Sequence, residues 1–183
     1  MVIFAVFLGI ILVLCIPGWT FRGRGDFFTR WPWALGLAGA YLLLRFVVLR
    51  YPELSWAYEK GHIVFLFGIG TLLLLEEKNM GSMIAGLGLL ANGLVILVNG
   101  KMPVAATALE KAGQGELLHI LERGESLSHT LLDTQTTKLF FLGDLFAIHL
   151  PVLGGIVISV GDILIALGCF LWIVGYGRGE KHV

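Results

Sequence analysis

The chain has 183 residues, 57% of them hydrophobic and 14% charged, and its mean hydropathy is +0.86, whereas soluble domains are about half apolar and a quarter charged. One core of this size does not hide so much apolar surface from water, so the composition points to a chain solvated partly by lipid. Thirteen basic residues balance thirteen acidic ones, which leaves no cationic field for nucleic acid, and none is expected as a partner.

About twenty apolar residues are needed to cross the roughly 30 Å hydrocarbon layer, because only a helix satisfies its own backbone there. Five windows approach that length: 2–19, 31–49, 62–75, 83–98 and 160–176, of which the third and fourth are short. The first lacks both the basic start and the Ala-x-Ala-like site of a secretory signal, so it reads as a retained helix. Arg45, one turn from the end of the second window, is expected to snorkel to the headgroups. Along the fourth, Gly81, Ala85, Gly88 and Asn92 draw one narrow face of small residues, where a second helix can approach closely, within the monomer or across an oligomer interface. Cys15 and Cys169 lie inside apolar runs and read as small core residues.

Lys and Arg in short loops set orientation. With five spans, Arg22, Arg24, Arg30, Lys78, Arg178 and Lys181 fall on one side, and Arg50 and Lys60 on the other. The N-terminus is therefore expected outside and the C-terminus in the cytoplasm. Trp19, Trp31, Trp33 and Trp172 would sit at the inner interface, and Tyr51, Trp56 and Tyr58 at the outer one. The expected fold is an all-α integral membrane bundle of about five transmembrane helices in the cell membrane. It divides into a four-helix region at 1–98, an outer loop at 99–159, and a last helix with a cytoplasmic tail at 160–183.

The outer loop is the soluble-looking part of the chain, where polar chemistry could be assembled. Between 105 and 123, Leu109, Leu117, Ile120 and Leu121 alternate with Glu110, Lys111, Glu116, His119 and Glu122 at helical spacing, which predicts an amphipathic helix on the membrane surface, weakened at Gly113 and Gly115. From 139 to 158 the chain is apolar but broken by Gly143-Asp144, Pro151 and Gly154-Gly155, which predicts a short β-hairpin, 147–150 against 156–159. Ser159 then stands as N-cap of the last helix, with Asp162 in its first turn.

Glu116 with His119, and His129 with Asp133, have spacings that could present metal ligands from one helical face, yet no HExxH or cysteine pattern joins them, and no metal is expected. His62 and His149 are the histidines a haem would need, and they fall near element ends. No phosphate-cradling loop is present, and no cofactor is expected. The most suggestive pair is Asp144 and Asp162, each preceded by glycine and bracketing the hairpin. Two carboxyls brought close cannot both ionise, so one keeps a proton while the other activates water.

Leu142-Gly-Asp-Leu-Phe, a Gly-Gly turn and Ser159-Val-Gly-Asp-Ile-Leu-Ile resemble the C-terminal part of lipoprotein signal peptidases. That resemblance implies catalytic roles for Asp144 and Asp162; the Gly-Asn…Asp-Arg motif of those enzymes is absent, and Leu132-Asp133-Thr134 stands in its place. Over most of its length, through Asn99-Gly-Lys-Met-Pro, His129, Leu132-Asp133, Thr136, Phe141-Leu-Gly-Asp and Ser159-Val-Gly-Asp, the chain resembles an uncharacterised family of bacterial multi-pass membrane proteins with no assigned activity.

Three functions are compatible with these features. The chain could be an accessory or scaffold subunit of a membrane complex, binding lipid and other membrane proteins or a second copy of itself. Alternatively it is an aspartate-dyad peptidase acting on membrane-tethered substrates. A small transporter or channel subunit would need facing polar residues within the membrane, for which Asn92 and Thr71 are the candidates.

Overall fold

The structure, a computed structural model, describes residues 32–76, 80–150 and 154–177. The window at 2–19, and Arg22, Arg24, Arg30, Lys78, Arg178 and Lys181 of the charge argument, lie outside them.

Among the described residues, three long helices come first. Helix α1 (Pro32–Arg50) leads through a 3-10 turn at Pro52–Leu54 into α2 (Ser55–Glu76), and α3 (Met80–Asn99) follows. Gly100, at φ +81°, ends α3 by donating its N–H to Ile96 O at 2.7 Å, a left-handed cap that glycine adopts without strain. Among the described residues, two helices are long and apolar enough to cross a membrane: Ser55–Leu75, with mean hydropathy 1.3, and Met80–Asn99, with 2.0. Both extend beyond the windows 62–75 and 83–98, because the more polar turns at their ends stay helical.

Helix α3 is the centre of the helical layer. One of its faces meets α2, where a Cβ on Gly86 would lie 2.8 Å from Gly70 O. The opposite face meets the last helix, α6 (Val160–Gly177), where a Cβ on Gly88 would lie 2.5 Å from Gly161 O and 2.9 Å from the Ile165 side chain. Leu66, Leu89, Val95, Ile96 and Ile165 fill the space between these helices.

The polypeptide between α3 and α6 builds a sheet, which corrects the expectation of an all-α five-helix bundle. Strands β1 (Met102–Val104), β2 (His129–Leu131), β3 (Asp144–Leu150) and β4 (Gly154–Ser159) form one mixed sheet in the order β2-β1-β3-β4. β1 runs parallel to both β2 and β3, and β3 and β4 are antiparallel. The expected hairpin is thus longer than 147–150 with 156–159, and it forms one half of the sheet. The other half escaped notice for a physical reason: β1 and β2 are three residues each, too short for a period-2 pattern, and β1 contains Pro103, which lacks a ladder donor.

The single amphipathic helix expected at 105–123 is two helices, α4 (Ala106–Lys111) and α5 (Gly115–Glu122), broken at Gly113 with φ +69°. Their apolar face covers the sheet, where Leu109 and Leu121 are buried with Val104 and Val157. A stripe predicted to rest on lipid is therefore satisfied by β-strands that the sequence pattern concealed.

Widening the α3–α6 contact tests this packing. Gly88→Val forces its methyl groups into the Gly161 carbonyl and should destabilise by about 1–3 kcal/mol or more, the range for overpacking. Gly68→Ala, on a face with nothing within 4 Å, should leave stability unchanged or raised by about 0.5–1 kcal/mol. Thermal unfolding in detergent micelles checks both, and equal effects at the two positions would contradict the close approach.

Candidate functional site

Strand pairing brings the two aspartates together. Asp144 opens β3 directly opposite Ser159, the last residue of β4, and on its other edge pairs with Val104 of β1, with Ala105 N–H donating to Asp144 O at 3.0 Å. Residues directly opposite on antiparallel strands project from the same face, so Asp144 and Ser159 share one side of the sheet. Ser159 is also the N-cap of α6: its Oγ accepts the Asp162 backbone N–H at 3.0 Å, and its own N–H donates to Asp162 Oδ2 at 3.0 Å. This reciprocal cap satisfies two end groups of the helix and turns the Asp162 carboxyl back towards the sheet.

A third element locks the pair. Asn92, on α3, donates from Nδ2 to Asp162 Oδ1 at 3.1 Å and accepts from Ser159 Oγ at 2.9 Å. The same hydroxyl lies 3.0 Å from Asp162 Oδ2, so its one proton serves either the amide or the carboxyl. All three side chains are buried. Glycine before each aspartate makes this possible: a Cβ on Gly161 would collide with the Asn92 side chain, and one on Gly143 would lie 2.7 Å from Pro103 O.

Asp144 is only 1% exposed, and its Oδ1 has no hydrogen-bond partner among the described residues. Burial, and after it the negative charge of Asp162, raise its carboxyl well above the ordinary carboxylate range. Facing Asp144 Oδ2 is His129 of β2, whose Nε2 lies 3.8 Å away, beyond hydrogen-bond length. Ser128 Oγ, 2.8 Å from His129 Nδ1, orients the ring, and burial lowers the imidazole to about 4, which keeps it neutral near pH 7. Burial thus disfavours the charged form of both groups, and at 3.8 Å they meet as a weak contact rather than a hydrogen-bonded ion pair.

These groups line a cavity of about 480 Å³ between α1, α2, α3 and the sheet. Its apolar wall includes Leu42, Leu49, Phe65 and Ile96; Arg45 stands at its exposed side, and Tyr41 and Tyr58 join hydroxyls at 3.0 Å within it.

A family model described as a family of unknown function (DUF5317) matches residues 26–174, a span that contains every group just described. The chain belongs to the DUF5317 family. No curated protein and no solved structure matches it.

In this DUF5317 member, the other residues singled out by the sequence lie elsewhere. Gly81, Ala85, Gly88 and Asn92 all face α6, where Gly81 approaches Trp172 and Gly168 and Ala85 approaches Gly168. His119 pairs with Glu122 at 3.0 Å on an exposed face of α5, with Glu116 also exposed. Asp133 holds a surface turn by accepting from Gln135 N–H and Thr136 Oγ, both at 2.9 Å, so it does not join His129. No group of three or more metal-ligating side chains occurs among the described residues. His149 is exposed on β3 while His62 lines the cavity, and Thr71 is exposed on α2 while Asn92 is buried against α6. Neither pair is brought together. The place of His129 beside Asp144 escaped the sequence because parallel pairing of β1 with two distant strands leaves no local signature.

Stability should depend on pH in opposite senses through the two facing groups. Folded Asp144 keeps its proton to higher pH than an unfolded aspartate of about 3.9, so its contribution is complete below that value and is lost as pH rises through the folded one. His129, at about 4 when folded against about 6.5 unfolded, contributes fully above 6.5 and is lost as pH falls towards 4. Asp144→Asn should flatten the alkaline decline of the melting temperature, and His129→Gln the acid one. Profiles unchanged from the parent in both variants would contradict the burial argument.

Proposed function

We propose that this chain is a multi-pass membrane protein, N-terminus outside and C-terminus cytoplasmic, whose cavity hydrolyses membrane-tethered peptides with Asp144 and Asp162 as the acid–base pair. The observation that carries this reading is the buried Oδ1 of Asp144, which has no partner among the described residues and lines the cavity together with Asp162. A buried oxygen without a partner costs about 1–3 kcal/mol, a penalty relieved when a substrate amide or its attacking water takes the place beside it.

The roles follow from the two environments. Asp162, held by donors from Ser159 and Asn92, takes a proton from water as the oxygen attacks the scissile carbonyl carbon. Asp144 delivers its proton to the carbonyl oxygen. Collapse of the tetrahedral gem-diol then breaks the C–N bond: the departing nitrogen takes the proton that Asp162 gained from water, and a gem-diol hydroxyl returns a proton to Asp144. The apolar wall of Leu42, Leu49 and Ile96 suits a substrate that arrives from lipid.

One observation favours a second reading. Both Asp162 oxygens are engaged in tying α6 to β4 and α3, which is the work of a structural staple. On that reading the chain is an accessory or scaffold subunit of a membrane complex, and the sheet with α4 and α5 is its partner surface.

Reconstituted protein and single-span reporter peptides with a cleavable outer flank separate the two. The parent should cut the reporters, and Asp144→Asn and Asp162→Asn should each lower the rate by about a hundred-fold or more, the scale of acid–base catalysis. Equal cleavage by parent and both variants, or none by the folded parent, would overturn the peptidase and leave the staple.

A further inference from the structure

Outside the cavity, the 3-10 turn at Phe140–Leu142 combines features that the acid–base site does not use. Phe140 and Phe141 are 47% and 53% exposed, their rings edge to face with centroids 6.1 Å apart. The residues on either side, Leu139 and Leu142, pack into the helical core instead. Leu139 achieves this at φ +51°, the one positive φ among the described non-glycine residues, in a region that side chains rarely adopt. The local conformation thus divides four consecutive apolar side chains into an inward pair and an outward pair.

The turn is also fixed in height. Asn99, the last residue of α3, accepts the Lys138 N–H through Oδ1 at 2.9 Å and donates through Nδ2 to Lys138 O at 2.8 Å. This two-point clamp holds the outward phenylalanines level with the end of an apolar helix whose last turns expose Leu94, Leu97 and Val98. Lys138 is exposed at the same level, and the preceding Asp133, Thr134, Gln135 and Thr136 are all polar and exposed. The sequence therefore changes from aqueous to cationic to aromatic over a few residues, the order in which water, phosphate headgroups and acyl chains are stacked at a bilayer edge.

We propose that Phe140 and Phe141 insert into the acyl–headgroup boundary of the bilayer as an anchor, with Lys138 at the phosphates, and that this anchor sets the depth of Asp144, two residues after the turn. The inference rests on the reading that α3 crosses the bilayer, and it is independent of any hydrolysis. Its occupant is lipid, because the apolar pair continues the exposed apolar face of α3 and is flanked by a cation suited to anionic headgroups.

Spin labels placed singly at Phe140→Cys, Phe141→Cys, Leu94→Cys and Thr134→Cys, in full-length protein carrying Cys15→Ala and Cys169→Ala, test it in phospholipid nanodiscs. Collision rates with apolar oxygen and a water-soluble nickel chelate give the depth of each label. Oxygen should dominate at 140, 141 and 94, and nickel at 134. Nickel dominance at 140 and 141 with oxygen dominance at 94 would overturn the anchor while leaving the span intact. Nickel dominance at 94 as well would overturn the span reading itself. Low access to both reagents at 140 and 141 would mean that protein covers the pair, and would likewise overturn it. If a label at 140 prevents folding, the label at 141 gives the same reading.

Discussion

The buried chain of amide, hydroxyl and carboxyl formed by Asn92, Ser159 and Asp162 joins the two layers of this protein. Each member comes from a different element: α3, the end of β4 and the start of α6. Buried polar groups without partners are expensive, and in a low-dielectric setting satisfied ones are correspondingly strong. The three elements therefore have one mutual arrangement in which all of these groups are satisfied. The glycines at 88, 161 and 168 permit the backbone approach that this arrangement needs.

From that junction the rest of the site follows. Ser159 is both the cap of α6 and the strand partner of Asp144, so a helix end and a sheet edge are specified by one residue. β1 leaves α3 after two residues and enters the sheet beside Asp144, which means that the helix supplying Asn92 also positions the strand that flanks the second aspartate. The two carboxyls differ in surroundings because one is surrounded by donors and the other by apolar walls and a neutral imidazole.

The readable parts of the sequence were those with local patterns. The apolar windows at 62–75 and 83–98 lie inside α2 and α3, and Ser159 stands at the head of α6. The expected hairpin is present, although Gly154 and Gly155 stand in β4, paired with Leu150 and His149, rather than in a turn. Asp144 and Asp162 could be singled out because each follows a glycine beside an apolar run. The illegible parts were non-local. Three-residue strands have too little length to show alternation, and parallel pairing across the α4–α5 excursion leaves no mark on either strand. The apolar faces of α4 and α5 pointed correctly to a covering surface, but the hydrophobic pattern is the same whether lipid or a sheet provides it. Asn92 read as one step of a packing stripe, and nothing near it in sequence announces a partner in α6.

That separation has a consequence for biosynthesis. Asn92 emerges from the ribosome 70 residues before the aspartate that receives its amide. At about 5–20 residues per second, the gap lasts on the order of ten seconds. Throughout it, α3 carries a buried-type amide with no mate, flanked by glycines that weaken its own helix. Until α6 arrives this amide needs another partner, since a buried polar group left unpaired is costly. Slow or incomplete delivery of the last helix would then expose a ready target to quality-control proteases.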